Sequence, residues 1–407
     1  MPKLLQINIT ANWGSHGKIA ESLGVMAISH GWESHIAFGR WYNKSLSHLY
    51  HIGSMTDEYI HGIISRLADN HGLMSTGPTK KLIEYIRQVN PDIIHIHNIH
   101  GYYLNYPLLF RYLSECGKPV VWTLHDCWPF TGHCAHYMFA GCEKWKTECG
   151  NCQLLSNYPA SIFLDRSKRN FQKKKQSFLS VKDLTLVPVS HWLEAQLSQS
   201  FLQSKPIHMI HNGIDTERFS HQEQSIDFYK KYGLELSGNI ILGVASNWYR
   251  KGLDDFIAIR HLLPQSYQII LVGLNKKERK ALPQNIIGIE RTENVDELVA
   301  LYSAANVFFN PTWEDNFPTT NLEAMACGTP VITYDTGGSP EAIDLHTGIV
   351  IERGNLNAAT AAIVHVCNSG KNHYMTACRN KVTNEFTNQK MLANYMNLYD
   401  TVLSRQI

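Results

Sequence analysis

Short apolar runs punctuate this chain at intervals that suit alternating strands and helices. In the first half they are KLLQINI (3–9), SHIAFG (34–39), DIIHIH (92–97), PVVWTLH (119–125) and LTLVPVS (184–190). In the second half they are NIILGVAS (239–246), YQIILVG (267–273), NIIGIE (285–290), NVFFNP (306–311) and TPVITY (329–334). Each is short, rich in β-branched residues and without polar alternation, the pattern of a strand buried on both faces. Between most of them apolar residues recur at spacings of three and four, as in DELVALYSAA (296–305) and NLEAMA (321–326). Repeated β-α-β alternation predicts parallel, doubly wound sheets. The strands fall into two sets on either side of HNGIDTERF (211–219). The prediction is an α/β protein of two Rossmann-like domains, 1–212 and 213–388, followed by a helical segment, 389–407.

In open α/β sheets, ligands bind outside the carboxyl ends of the strands. The residues that follow each run are therefore the first candidates for chemistry. Asn12 to Lys18 follow the first strand, Asn98 to Gly101 a later one, and Asp126 follows His125. In the second half Asn247 to Gly252, Thr312 to Phe317 and Asp335 to Gly338 occupy the same kind of place. Polar and glycine-rich residues of both halves thus collect at strand ends, and two such edges are expected to face a central cleft.

Composition narrows the field. Of 407 residues, 44% are apolar and 18% charged, which excludes a disordered chain. Thirty-seven basic residues against 35 acidic ones remove the usual electrostatic reason to expect nucleic acid. No stretch approaches the roughly 18 consecutive apolar residues of a membrane span. MPKLLQINI reads as a strand, with no signal-peptide pattern, so the expected location is the cytoplasm or the inner face of the plasma membrane. Gly14-x-x-Gly17-Lys18 is not the G-x-G-x-x-G dinucleotide fingerprint, which argues against an NAD oxidoreductase.

The segment WEDNFPTTNLEAMACGTPVITYDTGGSPE (313–341) carries the sharpest signal. Asp315 and Glu323 are separated by seven residues, with Phe317 two after the first acid and EAMACGTPV running on from the second. This arrangement resembles retaining glycosyltransferase family 4, of GT-B fold, in which the first acid is usually Glu. Here Asp315 holds that register. The resemblance implies that Asp315 binds donor-sugar hydroxyls and Glu323 the nucleotide ribose. The backbone of Asn316, Phe317, Pro318, Thr319 and Thr320, at a helix start, suits a diphosphate or sugar oxygen. It also implies an Arg and a Lys at the leaving diphosphate. Lys251 matches the Lys. The Arg position holds Ser246, and the neighbouring Arg250 is the candidate replacement. In the family a glycine loop, here Gly17, approaches the donor diphosphate, a His, here His125, sits near the reaction centre, and the last helix crosses back to the first domain. Asp126, His97 and Asn98 are assigned to the acceptor side. His95 reads equally well as a buried, hydrogen-bonded residue.

Nine cysteines are present, five of them between Cys127 and Cys152. Cys134, Cys142, Cys149 and Cys152, spaced C-x7-C-x6-C-x2-C, are candidate ligands of a structural zinc in an insertion, 127–157, that has few aliphatic residues to bury. Packed reduced thiols and a redox or disulfide arrangement are the alternatives. The pattern HD-x-WPFTG-x-C followed by C-x6-C-x-x-C is similar to the colanic acid and capsular polysaccharide branch of the family. The basic stretch 166–175, with Phe171 and Phe178 at helical spacing, suits an anionic lipid surface or a solvated helix face.

The resemblance implies a retaining transfer of a hexosyl unit from a nucleotide-diphospho-sugar to a lipid-linked glycan, without a catalytic metal or other cofactor. A GT-B sugar-nucleotide epimerase or hydrolase remains an alternative. So does a non-enzymatic zinc-binding module, although that leaves 313–341 unexplained.

Overall fold

The computed structural model describes residues 1–235 and 238–405. The chain divides into two compact units, one of Met1–Ile210 with the residues from Leu392 on, the other His211–Met391.

The first unit is built on a six-stranded sheet. Its strands are β1 (Lys3–Asn8), β2 (Glu33–Phe38), β3 (His48–His51), β4 (Ile93–Ile96), β5 (Val120–Leu124) and β6 (Leu184–Pro188), in the order β3-β2-β1-β4-β5-β6. All neighbours run parallel, with Leu5 beside His35 on one flank of β1 and beside Ile94 on the other. The second unit repeats the plan with β7 (Asn239–Val244), β8 (Tyr267–Val272), β9 (Ile286–Ile289), β10 (Val307–Asn310), β11 (Val331–Tyr334) and β12 (Gly348–Ile351), ordered β12-β11-β10-β7-β8-β9 and again all parallel. The ten apolar runs each contain one of these strands. The two strands that the apolar pattern did not announce, β3 and β12, are sheet edges. HLYH alternates exposed ends with a half-buried middle, so it offers no continuous apolar run.

Each sheet reverses its winding once, between β1 and β4 in the first unit and between β7 and β10 in the second. At such switch points the loops after adjacent strands diverge and leave a crevice at the carboxyl edge. The candidate residues after β1 and β4, and after β7 and β10, stand at these two places.

The segment between β5 and the helix Ser167–Leu179 contains only short 3-10 turns, at Trp128–Phe130 and Lys144–Lys146. Its lack of aliphatic residues is made good by aromatic ones. Trp128, Phe130, Tyr137 and Trp145 are buried, with Phe130 and Trp145 ring centroids 5.0 Å apart. From below, buried Lys174 donates to the carbonyls of Trp128 (2.6 Å) and Thr131 (3.0 Å) and lies 3.5 Å from the Trp128 ring. Phe171 and Phe178 are also buried. The stretch 166–175 is therefore half core, and its aromatics are not presented to a lipid surface. The helix Asn388–Ser404 adds Tyr395 and Tyr399, whose hydroxyls bond Thr123 and His95 on β5 and β4.

Candidate functional site

In the second unit, the loop after β7 and the loop after β10 are zipped together. The Trp313 amide donates to the Arg250 carbonyl at 2.9 Å. Gly252 has φ +74, and a Cβ there would meet the Pro311 carbonyl oxygen at 2.4 Å, so only glycine permits this approach. The zip brings two cations against two acids. Lys251 Nζ ion-pairs with Asp315, and Arg250 lies 3.8 Å from Glu314, whose side chain is buried. Asp315 is fixed in turn, its Oδ1 accepting from the Phe317 amide and its carbonyl from the Gly338 amide, both at 3.3 Å.

Phe317 leads into the helix Thr319–Ala326, which has no side-chain cap. Glu323 sits on this helix, half-buried, and accepts from the Tyr302 hydroxyl at 3.0 Å. Tyr302 is fully buried, and burial holds its phenol well above its ordinary range, so it acts only as a donor. Asn321 pins the helix start to β10 and to the 3-10 turn Ser339–Ala342, accepting from Asn310 Nδ2 (2.8 Å) and donating to the Ser339 carbonyl (3.1 Å). The ring of Phe317 is packed inward, stacked on His211 at 4.7 Å, while His211 bonds Glu341 at 2.8 Å. Asn316 and Pro318 are also buried, and Thr319 and Thr320 half-buried. Apart from Gly17, the residues expected at the donor are thus gathered at one strand edge. Phe317 can offer only its backbone there.

In the first unit the strand edge carries histidines. His97 Nε2 lies 3.0 Å from Gln6 Oε1, and Gln6 Nε2 donates to the Ala20 carbonyl at 2.7 Å. That second bond sets the orientation of the Gln6 amide and makes His97 Nε2 the protonated nitrogen. Burial keeps His97 and His125 neutral, with pKa values well below the ordinary imidazole range. His97 Nδ1 is then an acceptor, and the 3.3 Å contact to His125 Nε2 makes the latter the donor. The lone pair of His125 falls on Nδ1, the tautomer that can accept from a hydroxyl.

Beside this pair, His100 Nε2 bonds Asp126 at 2.6 Å and its Nδ1 contacts the Tyr158 hydroxyl at 2.9 Å. Burial alone would raise the Asp126 carboxyl, but His100, with the Trp128 amide, holds it well below the usual carboxylate range. The backbone amide of Asn98 donates to Asn8 Oδ1 at 3.3 Å. His95 is fully buried and bonded to Tyr399 and Thr123, a core role. Gly17 is explained by packing, since a Cβ there would meet Thr10 Oγ1 at 2.5 Å. His16, one residue earlier, points an enclosed Nδ1 that has no hydrogen-bond partner, and burial pushes its pKa down to about 4.

Several of these residues carry no motif. Tyr302, Tyr158 and the Gln6 amide were missed because their roles depend on contacts across 14 to 91 positions of sequence. His211 and His100 had been noticed only as parts of a turn and of a strand pattern.

Cys134, Cys142, Cys149 and Cys152 line one small cavity with His133, Tyr137 and Trp145. Among the described residues, however, no three His, Cys, Asp or Glu side chains are grouped to hold an ion. Cys134 and Cys152 hydrogen-bond each other, and Cys149 Sγ accepts from the Gly132 amide at 3.1 Å. His133, which lines the same cavity, bonds Asp69 through Nδ1 at 2.7 Å, while its Nε2 is buried without a hydrogen-bond partner.

Two family descriptions match the chain, Glycosyltransferase Family 4 over residues 27–218 and Glycosyl transferases group 1 over 238–369. The chain is 25% identical over 420 residues to the putative colanic acid biosynthesis glycosyl transferase WcaC of Escherichia coli (strain K12), covering 98% of this chain and 100% of that protein. It is 24% identical over 205 residues to the capsular polysaccharide biosynthesis glycosyltransferase CapM of Staphylococcus aureus, covering 47% and 53% of the two chains. Among solved structures, sucrose-phosphate synthase from Thermosynechococcus elongatus superposes with a TM-score of 0.70 at 17% identity, covering 100% of both chains. WaaG, a glycosyltransferase involved in lipopolysaccharide biosynthesis, gives 0.65 at 16%, covering 98% and 99%. Anabaena HepE in complex with UDP gives 0.64 at 13%, covering 98% and 100%. The architecture is GT-B.

Proposed function

This chain belongs to the family 4 and group 1 glycosyltransferases, and from that premise we propose that it builds a bacterial surface polysaccharide by retaining transfer. A hexosyl unit would pass from a nucleotide-diphospho-sugar to a lipid-linked oligosaccharide at the cytosolic membrane face. The relatives named for colanic acid and capsule biosynthesis favour this pathway class, and the HepE complex with UDP favours a nucleotide donor.

The observation that carries the reading is the double ion pair at the second unit's switch point, Lys251 with Asp315 and Arg250 with Glu314. Without donor, each cation is held by an internal carboxylate, so the edge is close to neutral. An arriving diphosphate would take over the cations, and Asp315 would turn to the sugar hydroxyls that accompany it. Charged hydrogen bonds of this kind contribute roughly 1.5–3 kcal/mol each. Glu323, aimed by Tyr302, is the ribose acceptor, and the uncapped helix start at Thr319 offers amides to an oxygen.

In the reaction the bond from the anomeric carbon to the diphosphate oxygen breaks while the acceptor oxygen bonds the same face of that carbon. The acceptor proton passes to the departing diphosphate, so no enzyme base is needed. Lys251 and Arg250 neutralise the charge that develops on the leaving group. His125, which burial keeps neutral, would accept from a sugar hydroxyl.

A nucleotide-sugar screen by thermal shift identifies the donor, and proton NMR of the product then reads its anomeric configuration. Retention with a transferred product is expected. Inversion would overturn the mechanism, and release of free sugar alone would favour a hydrolase.

A further inference from the structure

The helix Met55–Ala68 is amphipathic in the reverse sense. Its fully buried residues are polar, His61 and Ser65. His61 accepts from the Gly72 amide at 3.1 Å and contacts Ser75 at 2.8 Å. Its acids are also engaged away from solvent, Asp57 in the Ser54 capping box and Glu58 with Arg40 at 2.7 Å. What the helix turns outward is Met55, Tyr59, Ile60, Ile63 and Leu67, exposed by 41% to 85%. At about 3.6 residues per turn these five fill an arc of roughly 140°. The other exposed positions on the helix are Thr56 and Arg66, so this face carries a cation and no acid.

The apolar surface continues past the helix. The Ile162 amide donates to the Arg66 carbonyl at 2.7 Å, which lays Ile162, Phe163 and Leu164 beside the last turn. They are exposed by 65%, 71% and 43%. Immediately beyond, Arg166 and Arg169 both reach the Asn70 side chain. Eight exposed apolar side chains thus lie together with three guanidinium groups at one end. A clustered apolar face of this kind marks an interaction surface.

We propose that this face docks on an anionic lipid bilayer. The helix would lie in the interface with Ile63, Leu67 and Phe163 immersed, Tyr59 at the headgroup level, and Arg66, Arg166 and Arg169 against lipid phosphates. Charge selects the occupant. Arg66 stands on a helix face without acids, and the other two guanidiniums hydrogen-bond the Asn70 side chain, while the exposed Asp165 beside them accepts from the Cys152 and Ser167 amides, so this end of the surface suits an anionic partner. The basic stretch 166–175 contributes only its first arginines to this surface, since Lys174, Phe171 and Phe178 are core residues. The proposal stands whether or not the glycan acceptor is lipid-linked.

The test is flotation of the purified full chain with vesicles of mixed phosphatidylglycerol and phosphatidylcholine, and with phosphatidylcholine alone. The wild type should float with the anionic vesicles only. The Ile63→Ser, Phe163→Ser double variant should partition roughly tenfold less, with an unchanged melting temperature, since both positions are exposed. Its turnover of a short water-soluble acceptor should match the wild type, which separates membrane docking from catalysis. A wild type that does not float, or a double variant that floats equally, overturns the proposal. So does a dimer in light scattering that the double variant abolishes, because a second copy would then be the occupant.

Discussion

The two strand edges solve the same topological problem with opposite electrostatics. The second unit's edge holds formal charges in half-exposed loops, Lys251 against Asp315 and Arg250 against Glu314. The first unit's edge holds imidazoles that burial keeps neutral, His97 and His125 linked at 3.3 Å and aimed by Gln6. Fixed charge suits a ligand that arrives as an anion and leaves more negative. Neutral, orientation-locked nitrogens suit hydroxyls, whose hydrogen bonds depend on direction more than on charge. On the proposed function, the difference favours the diphosphate at the second unit and a polyol at the first.

The comparison breaks most decisively at Lys251. Lys251→Ala removes a donor from the developing diphosphate charge and is expected to lower kcat by about 10²–10³-fold, or roughly 3–4 kcal/mol. Arg250→Ala should cost less, as its contact to Glu314 is longer at 3.8 Å. Steady-state kinetics with the identified donor checks both. A larger loss in His125→Gln than in Lys251→Ala would invert the assignment and place the decisive group on the first unit.

Acid should separate the units next. In the first unit burial lowers the pKa of His16 and His61 to about 4 and of His95 to about 3, and pushes His71, His97 and His125 well below 6.5. Between the unfolded value near 6.5 and these folded values, the unfolded chain binds protons that the folded unit refuses. Stability therefore falls as pH falls through that window, by roughly 1 kcal/mol per pH unit for each site. Asp126 acts in the same direction at lower pH, since its folded pKa is depressed and its contribution is lost as pH falls toward it. His133, despite desolvation, is raised by Asp69, so its stabilisation is complete below 6.5 and opposes the trend, one group against seven histidines that burial lowers, His35 included. In the second unit the shift resolved for a histidine is the lowering at His221 by burial. Calorimetry from pH 7 to 4.5 should show the first unit's transition moving down ahead of the second's. A single transition that moves as one would show that the units unfold together and remove the contrast.

How much of this was legible beforehand depended on whether the signal was local. Ten strands were, because each carries an apolar run without polar alternation. The edge strands β3 and β12 were not, because their side chains are part solvated, at the ends of β3 and in the middle of β12. The acids of the second unit were legible through their spacing along one loop and one helix, 315 to 323. The Lys251–Asp315 pair was not, since it spans 64 positions and exists only because Gly252 lets two loops touch. The cysteine spacing suggested a metal in a segment without aliphatic residues. Trp128, Phe130, Tyr137 and Trp145 give that segment a buried aromatic core, which a count of aliphatic residues does not register.

The smallest effect tests whether the second edge is built as finely as the first. On the first edge a buried amide, Gln6, aims a histidine. On the second the counterpart is Tyr302, whose hydroxyl donates to Glu323 Oε2 at 3.0 Å from a fully buried ring. Tyr302→Phe keeps the ring and its packing and deletes one hydrogen bond to a carboxylate, worth about 1.5–3 kcal/mol when the acceptor is charged. If Glu323 binds the ribose in the donor and the product alike, the loss falls on binding. KM for the donor should rise several-fold with kcat nearly unchanged. Tyr302→Ala would confound this by opening a cavity, which is why the conservative variant is the informative one. An equal fall in kcat with KM unmoved would mean that Glu323 acts at the transition state. The charged edge would then extend one helical turn further than the ion pairs indicate.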